Sequence, residues 1–307
     1  MYSIGILTKE PIWGEKLSGF VNSIDFRIAG SFYEDNSVAM VVSEVFLDSD
    51  LIWIPTMEAG VLECAIQAVK LSRHVLFGFP VSRFPDEACE LVELANEARV
   101  QVQVGHHEHY NPAFRSMKKE VHQPQYIDLQ HHIGFSQGDY SHTLFHALLT
   151  DIEMCISLVP DSLKKFQSHA AYICDGSPPI LNVRMEFNNG AAASLRIDPF
   201  NTGNGIKMAV FQRQSIFSAD LQGGTVRVET FPKPGCTDQT TISTIWPSEG
   251  FPVVSLGEND PEFITLECLS FIQSITNNIL CVSSLEQGCE ALKIARNIFD
   301  RISITVD

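Results

Sequence analysis

The sequence predicts an α/β protein of two domains: a parallel, helix-covered sheet over residues 1–118 and a second α/β domain over residues 119–307, built on a largely antiparallel, open sheet. Three observations predict it. Between residues 50 and 104, short apolar runs alternate with helical periodicity in the order strand, helix, strand, helix, strand, which builds a parallel sheet with right-handed crossovers. After residue 126, strand-like runs follow one another across turn residues such as Asn188-Asn189-Gly190 and Gly223-Gly224, the pattern of antiparallel hairpins. The length of 307 residues suffices for two ordinary cores.

Tyr2 to Leu7 reads as a first strand, and Leu17, Phe20 and Val21 after Trp13-Gly14 read as a first helix. Phe26 to Phe32 is a second strand. Asp50 to Pro55 is an apolar run closed by Pro55, as expected of a strand buried on both faces. Leu62, Ala65, Ile66 and Val69 fall on one helical face, as do Ala88, Leu91, Val92 and Ala95. Strands are predicted at His74 to Phe77 and at Val100 to Val104.

Composition narrows the function classes. Hydrophobic residues make up 45% and charged ones 19%, the balance of a globular chain. Twenty-one basic residues against thirty-seven acidic ones give a net charge of -16, so neither nucleic acid nor an anionic membrane is an expected partner. The N-terminus shows no signal peptide pattern and no run approaches the length of a membrane span, so a cytoplasmic location is expected. The eight cysteines form no CxxC pair and read as reduced core thiols.

A dinucleotide site wants G-x-G-x-x-G between the first strand and its helix, so that backbone N–H groups reach the pyrophosphate. Here the connection after Gly5 is Thr8-Lys9-Glu10-Pro11-Ile12, ending in Trp13-Gly14. Pro11 removes a donor and Glu10 adds repulsive charge, while Thr8 and Lys9 offer side-chain donors in their place. NAD or NADP is therefore expected to bind weakly or not at all. An acid at the end of the second strand would hold the ribose; Tyr33 occupies that position, followed by Glu34, which either substitutes for it or belongs to a solvated turn.

The segments "DLIWIPT", "HVLFGFP" and "VGHHEHYNPAF", with the C-terminal "PEFITLECLSFIQSI" and "SLEQGCEALKIARNIFDRI", resemble landmarks of the Gfo/Idh/MocA family of NAD(P)-dependent sugar and cyclitol oxidoreductases. The resemblance implies a Rossmann-type domain, followed by a domain for substrate and oligomerisation, and a homodimer or homotetramer. It also implies cofactor contacts from Pro55 and Pro80. In the family the middle landmark reads Glu-Lys-Pro; here it is Gly78-Phe79-Pro80. The family's D-x-x-x-H pair falls on His146 and Thr150, and Thr150 cannot exchange a proton near neutral pH as an imidazole does.

Both ionisable groups that the resemblance assigns to proton transfer are thus absent, and two readings stand. One is a protein of this type that is catalytically impaired and binds a dinucleotide weakly, or a sugar-like ligand in an interdomain cleft. The other is an active NAD(P)-dependent oxidoreductase in which His146, His109 or Tyr110 moves the proton. His106, His107, His109, His131, His132, His142 and His146 enrich the segment from 106 to 146. HExxH is absent, and strand alternation sends His131 and His132 to opposite faces, so these histidines read as a polar lining for a hydroxylated ligand and no metal is assigned.

The remaining elements are a short helical run that follows Asn111-Pro112-Ala113-Phe114 and ends near Val121, a strand over Tyr126 to Ile133, and a helix over His142 to Leu158 with Leu144, Leu148, Ile152, Cys155 and Ile156 on one stripe. Strands follow at Ala170 to Cys174, Leu181 to Phe187, Ala192 to Ile197, Ala209 to Gln214, Ser215 to Asp220 and Thr225 to Glu229. Helices over Glu262 to Ile275 and Ser284 to Phe299 close the chain.

Overall fold

The computed structural model of the protein describes residues 2–7, 26–32, 45–55, 61–78, 85–134, 140–173, 178–200, 205–232, 240–245 and 261–304. The chain forms two compact units, Met1–His107 with Leu256–Leu292, and Glu108–Ser255 with Lys293–Asp307.

The first unit is a five-stranded parallel sheet of β1 (Tyr2–Leu7), β2 (Phe26–Phe32), β3 (Leu51–Ile54), β4 (His74–Phe77) and β5 (Val102–Val104), in the order β2-β1-β3-β4-β5. Helices α1 (Val61–Lys70) and α2 (Pro85–Ala98) connect strands on either side of β4. All four side chains of β3 are buried, as the unbroken apolar run requires of a strand covered on both faces. Ala65 and Val69 of α1 and Ala88, Leu91 and Ala95 of α2 are buried, so the periodicity identified the inward faces; Ala68 joins them, while Leu62, Ile66 and Val92 are half-buried.

Two strand ends differ from the sequence expectation, each for a local reason. Asp50 lies outside β3 because its carboxylate is engaged by β1: Ser3 donates to Asp50 Oδ2 from both N–H and Oγ, each at 2.8 Å. Val100 lies outside β5 because it closes α2, with Arg99 in the left-handed region (φ 55) and the Val100 N–H donating to the Ala95 carbonyl. The same closure ends α1, where Ser72 takes φ 60 and the Arg73 N–H donates to the Ala68 carbonyl.

The second unit begins at Glu108, within a 3-10 turn (His107–Tyr110), and continues into helix α3 (Pro112–Glu120). Asn111 caps α3 by accepting from the Ala113 and Phe114 N–H groups, with Pro112 in the first turn, where its missing N–H costs nothing. The Asn111 amide also donates to the Leu221 carbonyl at 2.9 Å, which ties the cap to the sheet.

That sheet holds eight strands: β6 (Pro124–His132), β7 (Leu163–Ala171), β8 (Ile180–Phe187), β9 (Ala192–Asp198), β10 (Gly205–Gln212), β11 (Ser215–Asp220), β12 (Thr225–Thr230) and β13 (Thr241–Ile245). Between β6 and β7 in the chain lies helix α4 (Tyr140–Leu158). The order is β13-β12-β11-β10-β6-β9-β8-β7, antiparallel throughout except that β6 and β9 run parallel at the centre.

One face buries Ile127, Leu129, Leu181, Val183 and Leu195, and the alternate positions carry Asp128, Gln130, Asn182, Arg184 and Arg196. Three strand expectations are corrected here. β7 starts at Leu163, where the exposed Lys164 and Lys165 suit an edge strand. β10 stops at Gln212 because Arg213 and Gln214 form the turn, Gln214 at φ 66. The edge strand β13 had not been anticipated.

Helices α5 (Pro261–Asn277) and α6 (Leu285–Ile304) complete the described chain, and α6 passes from the first unit to the second after Leu292. Just before α6, Gln103 and Ser284 form an antiparallel bridge and the Val104 N–H donates to the Ser283 carbonyl, so the free edge of β5 is covered. Among the described residues no helix is long and apolar enough to cross a membrane.

Candidate functional site

In the first unit the strand order is itself informative. β1 has β2 on one side and β3 on the other, so successive connections leave β1 in opposite directions and open a crevice at the carboxyl ends of the strands. Those ends are Leu7, Phe32, Ile54, Phe77 and Val104. Pro55 ends β3, half-buried, and Gly5 lies buried inside β1, where an added Cβ would sit 2.7 Å from Ser49 Oγ. Gly5 therefore serves packing under the strand. Thr8, Lys9, Trp13, Gly14, Tyr33, Glu34, Phe79 and Pro80 lie outside the described residues.

Gly78 is described, and its surroundings bear on the altered landmark. Its N–H donates to the Ile54 carbonyl at 2.7 Å. That bond presses the backbone against β3 so closely that a Cβ at position 78 would run into the Pro55 carbonyl. The glutamate that the resemblance puts at this position has no room here, and backbone atoms, unlike a flexible side chain, cannot swing aside.

His74, at the start of β4, accepts the Gln101 N–H through Nδ1 at 3.0 Å, so its proton is on Nε2 and the ring is neutral. Burial pushes its pKa below 6.5, against the opposing pull of Asp50.

The second unit concentrates its chemistry around α4. Every residue from Ala147 to Ile156 is buried, so this helix has no solvated face over ten positions, and Thr150, Asp151 and Glu153 lie among them. Burying a carboxylate costs several kcal/mol unless a partner compensates, and each acid has an imidazole. Asp151 Oδ1 meets His131 Nδ1 at 2.8 Å, with Asp151 fully buried and the His131 side chain 15% exposed. Glu153 Oε1 lies 3.7 Å from His109 Nε2, both side chains wholly buried, and the His109 ring meets Phe114 edge-on at 5.6 Å. Burial raises the Asp151 carboxyl above 3.8 and Glu108 adds to that rise, while His131 opposes it through its charge and its hydrogen bond. Burial also lowers Lys118, with Glu153 pulling the other way.

The candidate residues of this unit are therefore spread. His146 is half-buried on α4, Thr150 is closed off one turn later at 1% exposure, and Tyr110 is buried on the 3-10 turn. His131 and His132 do face opposite sides of β6: His131 turns to α4, whereas His132 Nδ1 lies 3.8 Å from Asp198 Oδ2 on β9. Burial lowers His132 foremost, Asp198 opposing and Arg196, Lys207 and His131 adding to the fall.

The residues that sequence reasoning passed over are Asp151 and Glu153, whereas His131 was read as one of the lining histidines. A signal existed, because the run from Leu144 to Leu158 carries these two acids with no lysine or arginine. Acids in such a run must be buried and paired.

No protein-family model matches the sequence, and no curated protein does either. Solved structures match over nearly the whole length. UDP-N-acetylglucosamine 3-dehydrogenase GnnA from Acidithiobacillus ferrooxidans superposes with a TM-score of 0.78 at 15% identity, covering 97% of this chain and 97% of that one. A dehydrogenase (MviM) from Clostridium difficile gives 0.75 at 13% identity, covering 98% and 99%. An oxidoreductase from Agrobacterium radiobacter, solved in complex with NAD+, L-tartaric acid and magnesium, gives 0.75 at 11% identity, covering 97% and 95%. At such identities the likeness is one of fold.

Proposed function

We infer that this chain, which carries the fold of the Gfo/Idh/MocA-type dehydrogenases, is a divergent, oxidoreductase-like protein that binds a sugar-like ligand and is impaired in hydride chemistry. The observation that carries this reading is Gly78. The position assigned to a glutamate is packed against the Pro55 carbonyl, so the change is built into the backbone around it. Phe79 and Thr150 add that neither remaining position of the reaction bears an ionisable group. The strand order fits a dinucleotide crevice, but the donor set at the chemistry does not fit a hydride-transferring cofactor, and no reaction step is derived through one.

The test is thermal unfolding of the full chain with NAD+, NADH, NADP+, NADPH and, because one fold neighbour acts on it, UDP-N-acetylglucosamine. A ligand at a hundredfold excess over its dissociation constant stabilises by about 2.7 kcal/mol, a rise of roughly 5 to 10 °C for domains of this size. The expected result is a rise with the nucleotide sugar and little change with the four dinucleotides. Turnover of NAD(P)H with any sugar or cyclitol of a broad panel would end the reading.

A second reading, an active NAD(P)-dependent oxidoreductase acting on a sugar or cyclitol hydroxyl, is favoured by one observation: α4 brings buried carboxylates to two imidazoles, Asp151 to His131 at 2.8 Å and Glu153 to within 3.7 Å of His109. Under either reading the polar face of the eight-stranded sheet, with Asp128, Arg184 and Arg196, is the proposed contact of a homodimer or homotetramer. The light-scattering mass at micromolar concentration is expected to be two or four times 34.2 kDa, and a mass of one chain would refute it. A cytoplasmic, reducing setting accords with the free thiols of Cys64, Cys89, Cys155, Cys268, Cys281 and Cys289.

A further inference from the structure

We propose that His74 is an acid-sensitive latch: its neutral ring fixes the Gln101 backbone and, through the Gln101 side chain, the turn between α5 and α6, and protonation of the ring releases that turn. The latch lies wholly within the first unit and is independent of the ligand inferred above.

At the entry to β5 the Val75 N–H donates to the Gln101 carbonyl at 3.1 Å, and the Gln101 N–H donates in turn to His74 Nδ1 at 3.0 Å. A backbone donor beside a strand thus depends on a side chain that titrates, and an imidazolium, which has only donors, cannot accept it. Gln101 passes the constraint on. Its Nε2 donates to the Ile279 carbonyl at 3.0 Å and to the Ser274 carbonyl at 3.4 Å, while its Oε1 meets the Ser274 hydroxyl at 2.7 Å and the Cys281 thiol at 3.5 Å. These bonds cap α5, whose last carbonyls have no onward partner in the helix, and Asn278 ends it in the left-handed region at φ 49. The turn so held carries Ile279, Leu280 and Val282 at 55%, 91% and 37% exposure, so little burial of its own keeps it in place. Its far end is tied to β5 through Ser283 and Ser284, which confines a release to residues 278–282.

The charged groups around the ring leave the proton balance to it. From the β3 side Asp50 faces His74, whose N–H donates to the Asp50 carbonyl at 3.2 Å. Burial works against the Asp50 carboxylate, but its Ser3 bonds and the Arg73 charge hold it below 3.8, so it stays ionised while the ring titrates. Arg73, the chain neighbour, is tied to the Leu47 carbonyl at 3.2 Å. From the turn the titratable group is Cys281, whose thiol burial pushes up and keeps neutral. Burial of the ring outweighs the attraction of Asp50, so His74 titrates below the ordinary 6.5. The unfolded chain takes up the proton first; the latch is therefore fully formed above pH 6.5 and is lost as pH falls through the folded value.

The test uses the full chain, 15N-labelled, with His74 assigned from the backbone, and follows two quantities against pH. One is the state of the His74 ring; the other is hydrogen exchange at the Gln101, Asn278 and Ile279 amides, corrected for the intrinsic rate. At pH 7.5 the ring is expected to be neutral with its proton on Nε2. As the ring titrates, the three amides are expected to lose protection by about tenfold, which is what one hydrogen bond of ordinary strength supplies, while the β8 and β9 amides keep theirs. In His74→Asn the side-chain oxygen stands near the place of Nδ1 and accepts without titrating, so protection should hold over the same range. A proton on Nδ1, a ring that stays neutral until the chain unfolds, or a loss of protection at a pH other than that of the ring overturns the proposal. So does an equal loss in β8 and β9, which marks global unfolding, or the same loss in His74→Asn. Should that variant not fold, the coincidence of the two midpoints in the parent chain decides.

Discussion

Replacing His131 by leucine is expected to destabilise the second unit by about 3 to 5 kcal/mol, the cost of leaving one member of a buried pair without the other. Asp151 cannot reach water from a helix buried on every side, and His131 is the group that opposes the rise of its pKa. The loss should depend on pH with a definite sign. The Asp151 carboxyl is already held above its ordinary 3.8 in the folded protein, so between that value and its folded pKa the native state binds more protons than the unfolded one. Its contribution is therefore fully present below 3.8 and is lost as pH rises through the folded pKa.

Removing His131 takes away the group that opposes this rise, so the deficit of the variant relative to the parent should be larger at pH 8 than at pH 5. Urea midpoints by circular dichroism at the two pH values read this directly. The double variant His131→Leu with Asp151→Leu should recover most of the loss, because apolar residues of similar size replace a buried pair at little cost. A single variant as stable as the parent at pH 8 would mean that Asp151 is neutral in the native protein.

Introducing a glutamate at Gly78 should damage the protein. A Cβ at this position meets the Pro55 carbonyl, and the Gly78 N–H is already committed to the Ile54 carbonyl, so neither strand can withdraw without breaking the β3-β4 connection. Gly78→Ala should cost about 1 to 3 kcal/mol as overpacking. Gly78→Glu should cost more, since it adds a carboxylate at a half-buried position. Both effects are read as a drop in thermal midpoint and soluble yield. Gly78→Glu with Phe79→Lys should accordingly give less folded protein and no NAD(P)H turnover. A Gly78→Glu variant that melts with the parent would remove the observation on which the impaired reading rests.

The legible parts of the fold are those set by local pattern. β4 falls on His74 to Phe77 and β11 on Ser215 to Asp220, where short runs holding Val75 and Phe77, or Ile216 and Phe217, stand beside turn residues. The inward faces of α1 and α2 follow from a period near 3.6 against a sheet that covers one side only. The same reasoning on α4 found the stripe Leu144, Leu148, Ile152, Cys155 and Ile156 but not that the rest of the helix is buried too. A period reports the best-covered face and is silent on whether the opposite one is also covered. Edge strands such as β13 were missed for the converse reason: Thr241 to Ile245 includes Ile242 at 60% exposure, and a strand paired on one side needs no strong apolar alternation.

By itself, then, the sequence determined a parallel sheet followed by a mostly antiparallel one, and that Phe79 and Thr150 stand where the resemblance expects a lysine and a histidine, since residue identity and short-range order settle both. The tertiary structure alone decided that Gly78 has no space for a side chain and that Asp151 holds His131, twenty positions away. Those two facts depend on how β4 leaves β3 and on where α4 lies along β6, and such distances are set by packing between elements that no local pattern encodes.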